Sequence, residues 1–173
     1  MLKKLMLVAV AFMAVGLMGK AFAEPLTAEA CKAKAIEAAK LVEAEGPAAF
    51  DKIKDPAGPF SFGDGSGYVW IHDSDNMMVM HPKKPELNGK PIADMRDVNG
   101  VYFFVSMTDI ATEKGAGWVA YAWPKPGKTD SSPKVSYVVK AVNGGKTYIV
   151  GSGIYDITAA DIKAKFPADP IAE

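Results

Sequence analysis

The sequence is poor in the residues on which most protein chemistry depends: it holds one cysteine, two histidines and, among its basic residues, a single arginine, Arg96. A lone cysteine cannot close an internal disulfide, so stability must come from a packed core. Nor does Cys31 stand directly after a leader's small residues, where a lipid-anchored cysteine would be; Glu24 occupies that place, and Cys31 reads as a helix residue. His72 and His81 form no His-x-x-x-His pair, and no serine sits in a nucleophile elbow. The expectation is a chain that is not an enzyme, with no cofactor and no metal. His72, Asp73 and Asp75 could gather at a surface metal, but an Asp-Ser-Asp-Asn turn accounts for them, and Met77, Met78 and Met80 read as hairpin packing rather than copper ligands. The 20 basic residues match 20 acidic ones, so there is no positive surplus to suggest nucleic acid.

Long apolar runs are also missing. The longest, residues 5–18, falls short of the roughly 20 residues that a membrane-spanning helix needs. Lys3 and Lys4 precede it and Ala21-Phe22-Ala23 follows, which is the order of a secretory signal. Residues 1–23 are therefore expected to be a signal peptide cleaved after Ala23, leaving residues 24–173 as one periplasmic or secreted domain with no stable membrane span. The alternative, an uncleaved anchor, would have to extend its apolar run across Lys20. Loss of three lysines with the leader makes the remainder mildly acidic.

What is present is a clear alternation of elements. Residues 27–45 are rich in Ala, Glu, Lys and Leu without Gly or Pro, which predicts a long helix capped by Thr27 and ended by Gly46-Pro47. A short second helix is expected over 48–54. Residues 68–72 have the aromatic and β-branched content of a strand, Asp73 to Asn76 form a turn, and 77–81 return as the hairpin partner. Pro82 and Pro85 make 82–99 a loop crossing the domain face. A helix is predicted over 100–114, then strands over 118–123, 134–142 and 147–154, the last two joined through Asn143-Gly144. Thr158 can cap a short helix over 159–165. Five strands with a long leading helix and flanking short helices describe an α+β, PAS-like fold built on one antiparallel sheet.

The runs Tyr68-Val69-Trp70-Ile71-His72-Asp73, Met80-His81-Pro82, Leu87-Asn88-Gly89-Lys90, Asp97-Val98-Asn99-Gly100-Val101, Tyr121-Ala122-Trp123-Pro124-Lys125-Pro126-Gly127, Pro133-Lys134-Val135-Ser136-Tyr137 and Gly151-Ser152-Gly153-Ile154-Tyr155 resemble, in order, the signature of single Cache domains of the second type. The resemblance covers nearly all of residues 24–173. It implies an extracytoplasmic sensor domain that binds a small carboxylate such as acetate, propionate, pyruvate or lactate, and a homodimer formed through the leading helix. Such sensors continue through a membrane helix into a signalling module. This sequence ends at Glu173 with neither, so the expectation is a domain acting with a separate membrane receptor, kinase or transport partner. A secreted protein-interaction module of the same fold, without a ligand, is the alternative.

A carboxylate site needs an enclosed hollow, a cation or several donors, and apolar walls. His81 ends the second strand where the resemblance places the pocket, although a plain turn histidine fits equally. Tyr121 and Trp123 share one strand face by the two-residue period, as an aromatic wall or as core. Tyr102 is a further candidate on the middle helix. Lys134 and Tyr137 come from the Pro-Lys-Val-Ser-Tyr run, and their odd separation prevents both from facing inward on a regular strand. Tyr137 is expected to face the pocket, with Lys134 reaching in from the strand entrance. Arg96 offers a bidentate fork over the pocket, unless Asp94 and Asp97 hold it in a structural ion pair. Asp156 can receive a ligand amine or start the Thr158 helix.

Overall fold

The computed structural model describes residues 24–173. The signal peptide expected over 1–23, with its cleavage after Ala23, lies outside the described residues. Helix α1 (Ala28–Glu45) begins where expected: the Thr27 hydroxyl accepts the Ala30 N–H at 3.1 Å. It ends at Gly46, whose φ of 60° is open to glycine and strained for other residues. Ala35, Ala38, Ala39 and Val42 are buried along one side, and their small size lets the helix lie close on the sheet. Helix α2 (Ala49–Lys54) follows after a 3-10 turn.

Strands β1 (Val69–Asp73) and β2 (Met78–Met80) form the first hairpin. The long loop after β2 holds a single 3-10 turn and leads to α3 (Phe103–Lys114). That helix starts three residues later than the periodicity predicts. The Asp97 carboxylate accepts the N–H groups of Asn99 and Val101 at 2.8 and 2.9 Å and so holds residues 97–101 in a turn. Strands β3 (Ala116–Pro124), β4 (Ser131–Asn143) and β5 (Lys146–Tyr155) make an antiparallel meander, followed by α4 (Ala159–Lys165), which is closed by a capping box between Thr158 and Asp161. The sheet order is β2-β1-β5-β4-β3-β6. The sixth strand, β6 (Ile171–Ala172), is an addition to the expected five: two residues pair in parallel with Trp118 and Val119, too short a run to show any period.

Strand alternation divides the core in two. Val69, Ile71, Val135, Tyr137 and Val150 face α1, while Trp70, Tyr121, Trp123, Val138 and Ile149 face α3 and the crossing loop. No helix among the described residues is long and apolar enough to cross a membrane.

His72 lies in the second layer, fully buried beneath α3. The Thr108 hydroxyl donates to Asn76 Oδ1 at 2.7 Å and therefore accepts from His72 Nε2–H at 3.1 Å, leaving Nδ1 buried without a partner. Burial pushes the imidazole pKa down to about 3. The unfolded chain binds a proton at the ordinary value of 6.5, so the stability present above that pH is lost as pH falls towards 3. Urea unfolding should show a loss of roughly 2–3 kcal/mol from this residue between pH 7 and 4.5. His72→Asn, though less stable at neutral pH, should show a shallower acid slope; an unchanged slope would place the acid sensitivity elsewhere.

Candidate functional site

The sheet face towards α3 gathers a lysine and a set of aromatic rings by register alone. Lys134 of β4 stands directly opposite Tyr121 on β3 and Tyr155 on β5. One pair further along, Ser136 stands opposite Gly153, and Val138 opposite Gly151, which in turn faces Trp70 on β1. The two glycines form a floor without side chains. A Cβ at Gly151 would lie 2.7 Å from Trp70 Cε2, and one at Gly153 would lie 2.8 Å from Lys134 Cε. Their absence of side chains lets the indole and the lysine stem rest on the sheet.

Lys134 is 1% exposed. Its ammonium donates to Tyr68 Oη at 2.9 Å and lies 4.5 Å from the Tyr68 ring centre, 4.6 Å from Tyr155, 5.2 Å from Trp70 and 5.9 Å from Tyr121. Cation–π attraction to four rings offsets part of the lost hydration. No carboxylate among the described residues lies within ion-pair distance of it. Burial accordingly pushes its pKa down from 10.5 to about 7. Burial also raises the Tyr68 and Tyr121 phenols well above their usual range and Tyr155 to about 12, so all three are neutral donors.

His81 completes the cage. Its ring lies 5.2 Å from Tyr68, 6.4 Å from Trp70 and 6.4 Å from Trp123. Nδ1 accepts the backbone N–H groups of Lys83 and Lys84 at 3.2 and 3.0 Å, which places the neutral ring's proton on Nε2. Burial, and then the positive charges of Lys134 and Lys84, push its pKa down to about 3, so it stays neutral. Trp70 Nε1–H is buried without a partner. Phe103 of α3 roofs the cage, stacked on Tyr121 at 4.6 Å and edge-on to Trp123 at 5.3 Å.

A cavity of about 50 Å³ opens between His81, Tyr68, Trp123 and the 124–128 turn. Lys83, Lys84, Lys125 and Lys128 ring this mouth. Lys84 lies over Trp123 at 5.3 Å, and Lys125 pairs with Asp156. The mouth thus carries positive charge on a domain that is mildly acidic as a whole.

Of the candidates named from sequence, His81, Tyr121, Trp123 and Lys134 meet here. Tyr137 does not. The odd spacing from Lys134 turns it to the opposite face, where its ring packs 5.0 Å from Trp118 and 5.0 Å from the Lys32 ammonium; the expectation that Tyr137 faces the pocket is corrected. Arg96 and Tyr102 also stay outside. Both are exposed and stack on each other at 4.2 Å. The ion pair expected of Arg96 is not formed: the Asp97 carboxylate is taken by backbone N–H groups, including that of Ala122 at 2.8 Å. Asp156 pairs with Lys125 rather than opening α4, whose cap is Thr158. Cys31 is buried in α1, with its thiol pushed up to about 12 by burial. Four cage residues were not singled out from sequence: Tyr68, Trp70, Phe103 and Tyr155. Tyr68 and Trp70 share a parity in β1's run, as do Gly151, Gly153 and Tyr155 in β5. Only the pairing of β5 between β1 and β4 brings the two sets together.

This arrangement has known counterparts. The Cache domain family model, dCache_2, matches residues 27–165. The methyl-accepting chemotaxis protein McpP of Pseudomonas putida is 37% identical over 103 residues, 60% of this chain and 18% of that protein. The chain spans about a fifth of the length of the curated relatives it matches. Among solved structures, the periplasmic sensor domain of a chemotaxis protein is 34% identical with a TM-score of 0.59, covering 73% of this chain and 88% of that one. A Cache chemosensory domain solved for its carboxylic acid recognition is 32% identical with a TM-score of 0.59, covering 73% and 86%. With one sheet, one long leading helix and one aromatic cage inside the matched residues, the chain belongs to the Cache domain family of sensor domains.

Proposed function

We propose that this domain is an extracytoplasmic sensor module, exported by its leader, that captures a small monocarboxylate in the Lys134 cage and reports it through a separate receptor, kinase or transport partner. The observation that carries this reading is the buried Lys134 ammonium. It has one hydrogen bond, four aromatic neighbours and no carboxylate partner among the described residues. An ammonium so placed is costly to bury until an anion joins it. A carboxylate would accept from Lys134, with Trp70 Nε1–H and His81 Nε2–H as further donors and Phe103 and Trp123 as apolar walls. The small cavity beside the cage, lined by Tyr68, His81 and Trp123, favours short acids of the class of acetate, propionate, pyruvate and lactate. The lysines at the mouth would draw such anions in.

Thermal unfolding of the purified protein tests this. A true ligand at a hundredfold its Kd adds about 2.7 kcal/mol, roughly 5–10 °C for a domain of this size. A flat response across two- to four-carbon carboxylates would favour a protein-interaction module instead. The pH dependence gives a second check. Tyr68, Tyr121 and Tyr155 stay phenolic, His81 stays neutral and the Cys31 thiol is pushed up to about 12, so Lys134, at about 7, is the group of the cage that titrates near neutrality. Its ammonium is the binding form. Affinity should hold steady from pH 5.5 to 7 and then fall about tenfold per pH unit, with one proton taken up on binding. An affinity constant from pH 6 to 9 would exclude Lys134 as the counter-ion.

A further inference from the structure

We infer that the Lys134 amine forms a reversible imine with 2-oxo monocarboxylates that enter the cage, so that the domain distinguishes an oxo acid from its saturated counterpart by a covalent bond. This rests on the carboxylate reading of the same cage and names a chemical class within it. The geometry is that of an imine-forming lysine rather than a plain ion-pair lysine. Its amine is buried, holds one hydrogen bond and has no carboxylate partner among the described residues, and this desolvation favours the neutral amine against the attraction of the rings for the cation.

The tyrosines orient it. Tyr155 donates to the Pro124 carbonyl at 3.1 Å, so the Tyr68 hydroxyl, 3.3 Å away, gives its proton to Tyr155 and turns its own lone pair to Lys134. One amine hydrogen is thereby held towards Tyr68, which leaves the nitrogen lone pair free for a carbonyl carbon. The carboxylate of the same molecule meets His81 Nε2–H and the positive mouth at Lys84. The step balances without a co-reactant. The nitrogen adds to the keto carbon to form a carbinolamine, and both amine hydrogens then leave with the keto oxygen as water. At neutral pH, a lysine titrating at about 7 holds roughly a thousandfold more free amine than a surface lysine of ordinary pKa near 10.4.

The test is reductive trapping. The purified protein is incubated with pyruvate and cyanoborohydride at neutral pH, followed by intact mass and peptide mapping, with acetate calorimetry in parallel. The expected result is one saturable adduct on the peptide carrying Lys134, formed on the order of a hundredfold faster than on surface lysines and suppressed by excess acetate. Lys134→Arg should give none. If that variant does not fold, suppression by acetate in the unaltered protein decides. Acetate binding without an adduct at Lys134, or labelling spread over surface lysines and indifferent to acetate, would overturn the imine and leave the carboxylate site standing. Absence of binding by both acetate and pyruvate would remove both.

Discussion

Lys134→Met is expected to yield a folded protein that no longer binds carboxylates. Calorimetry with acetate or propionate at pH 6.5 should show affinity reduced by at least about thirtyfold, since losing a desolvated charge-assisted contact costs about 2–5 kcal/mol or more. Methionine keeps the length of the stem and its place beneath Tyr68, so the rings should remain packed. Stability should move the other way. The folded lysine titrates at about 7 and the unfolded one near 10.5, so the unfolded chain holds the extra proton between those values. Stability of the unaltered domain therefore climbs with pH across that window, and the variant should lose the climb. Below pH 7 the variant should be the more stable protein, by on the order of 5 kcal/mol if the full burial cost is relieved. Urea unfolding at pH 6.5 and 9.5 reads both effects. A variant that is less stable at pH 6.5 and binds acetate as before would show the lysine to be a structural group.

Gly153→Val should abolish binding by a different route. Gly153 stands opposite Ser136 on the site face, where a Cβ would collide with Ser136 Oγ and press on Lys134 Cε at 2.8 Å. Neither neighbour is free to withdraw, because Tyr121 Oη holds Ser136 Oγ at 2.9 Å and Tyr68 holds the Lys134 amine. Overpacking of this kind costs about 1–3 kcal/mol, and the two γ-methyl groups of valine add to the crowding. The melting temperature should drop by roughly 5–10 °C, and acetate affinity should fall below detection as the ammonium is displaced from its rings. Gly153→Ala should show the same direction with about half the loss. Unchanged melting and binding in the valine variant would mean that the β5 floor is not part of the site.

Much of this architecture was open to a reader of the sequence, for local reasons. Thr27 and Gly46 bracket α1 because capping and positive φ are properties of single residues. The β4–β5 hairpin follows from Asn143-Gly144-Gly145, and the capped α4 from Thr158. Parity alone was enough to say that Lys134 and Tyr137 point to opposite faces. It did not say which face carries the site, and the expectation for Tyr137 failed on that point. Arg96 shows a related limit. Its aspartate neighbours suggested an ion pair, whereas the Asp97 carboxylate is claimed by three backbone N–H groups, one of them from Ala122 on β3.

The sequence by itself determined the elements, their caps and turns and the alternation of each strand, because these depend on residues within one turn or one pleat of each other. The order β2-β1-β5-β4-β3-β6 belongs to the tertiary structure. It sets Lys134 between Tyr121 and Tyr155 and brings Tyr68 across Gly153 to hold its amine. Neighbourhood in a sheet is decided by which faces can be buried together, a property of the whole chain. The burial that lowers the Lys134 pKa exists only once those faces have closed.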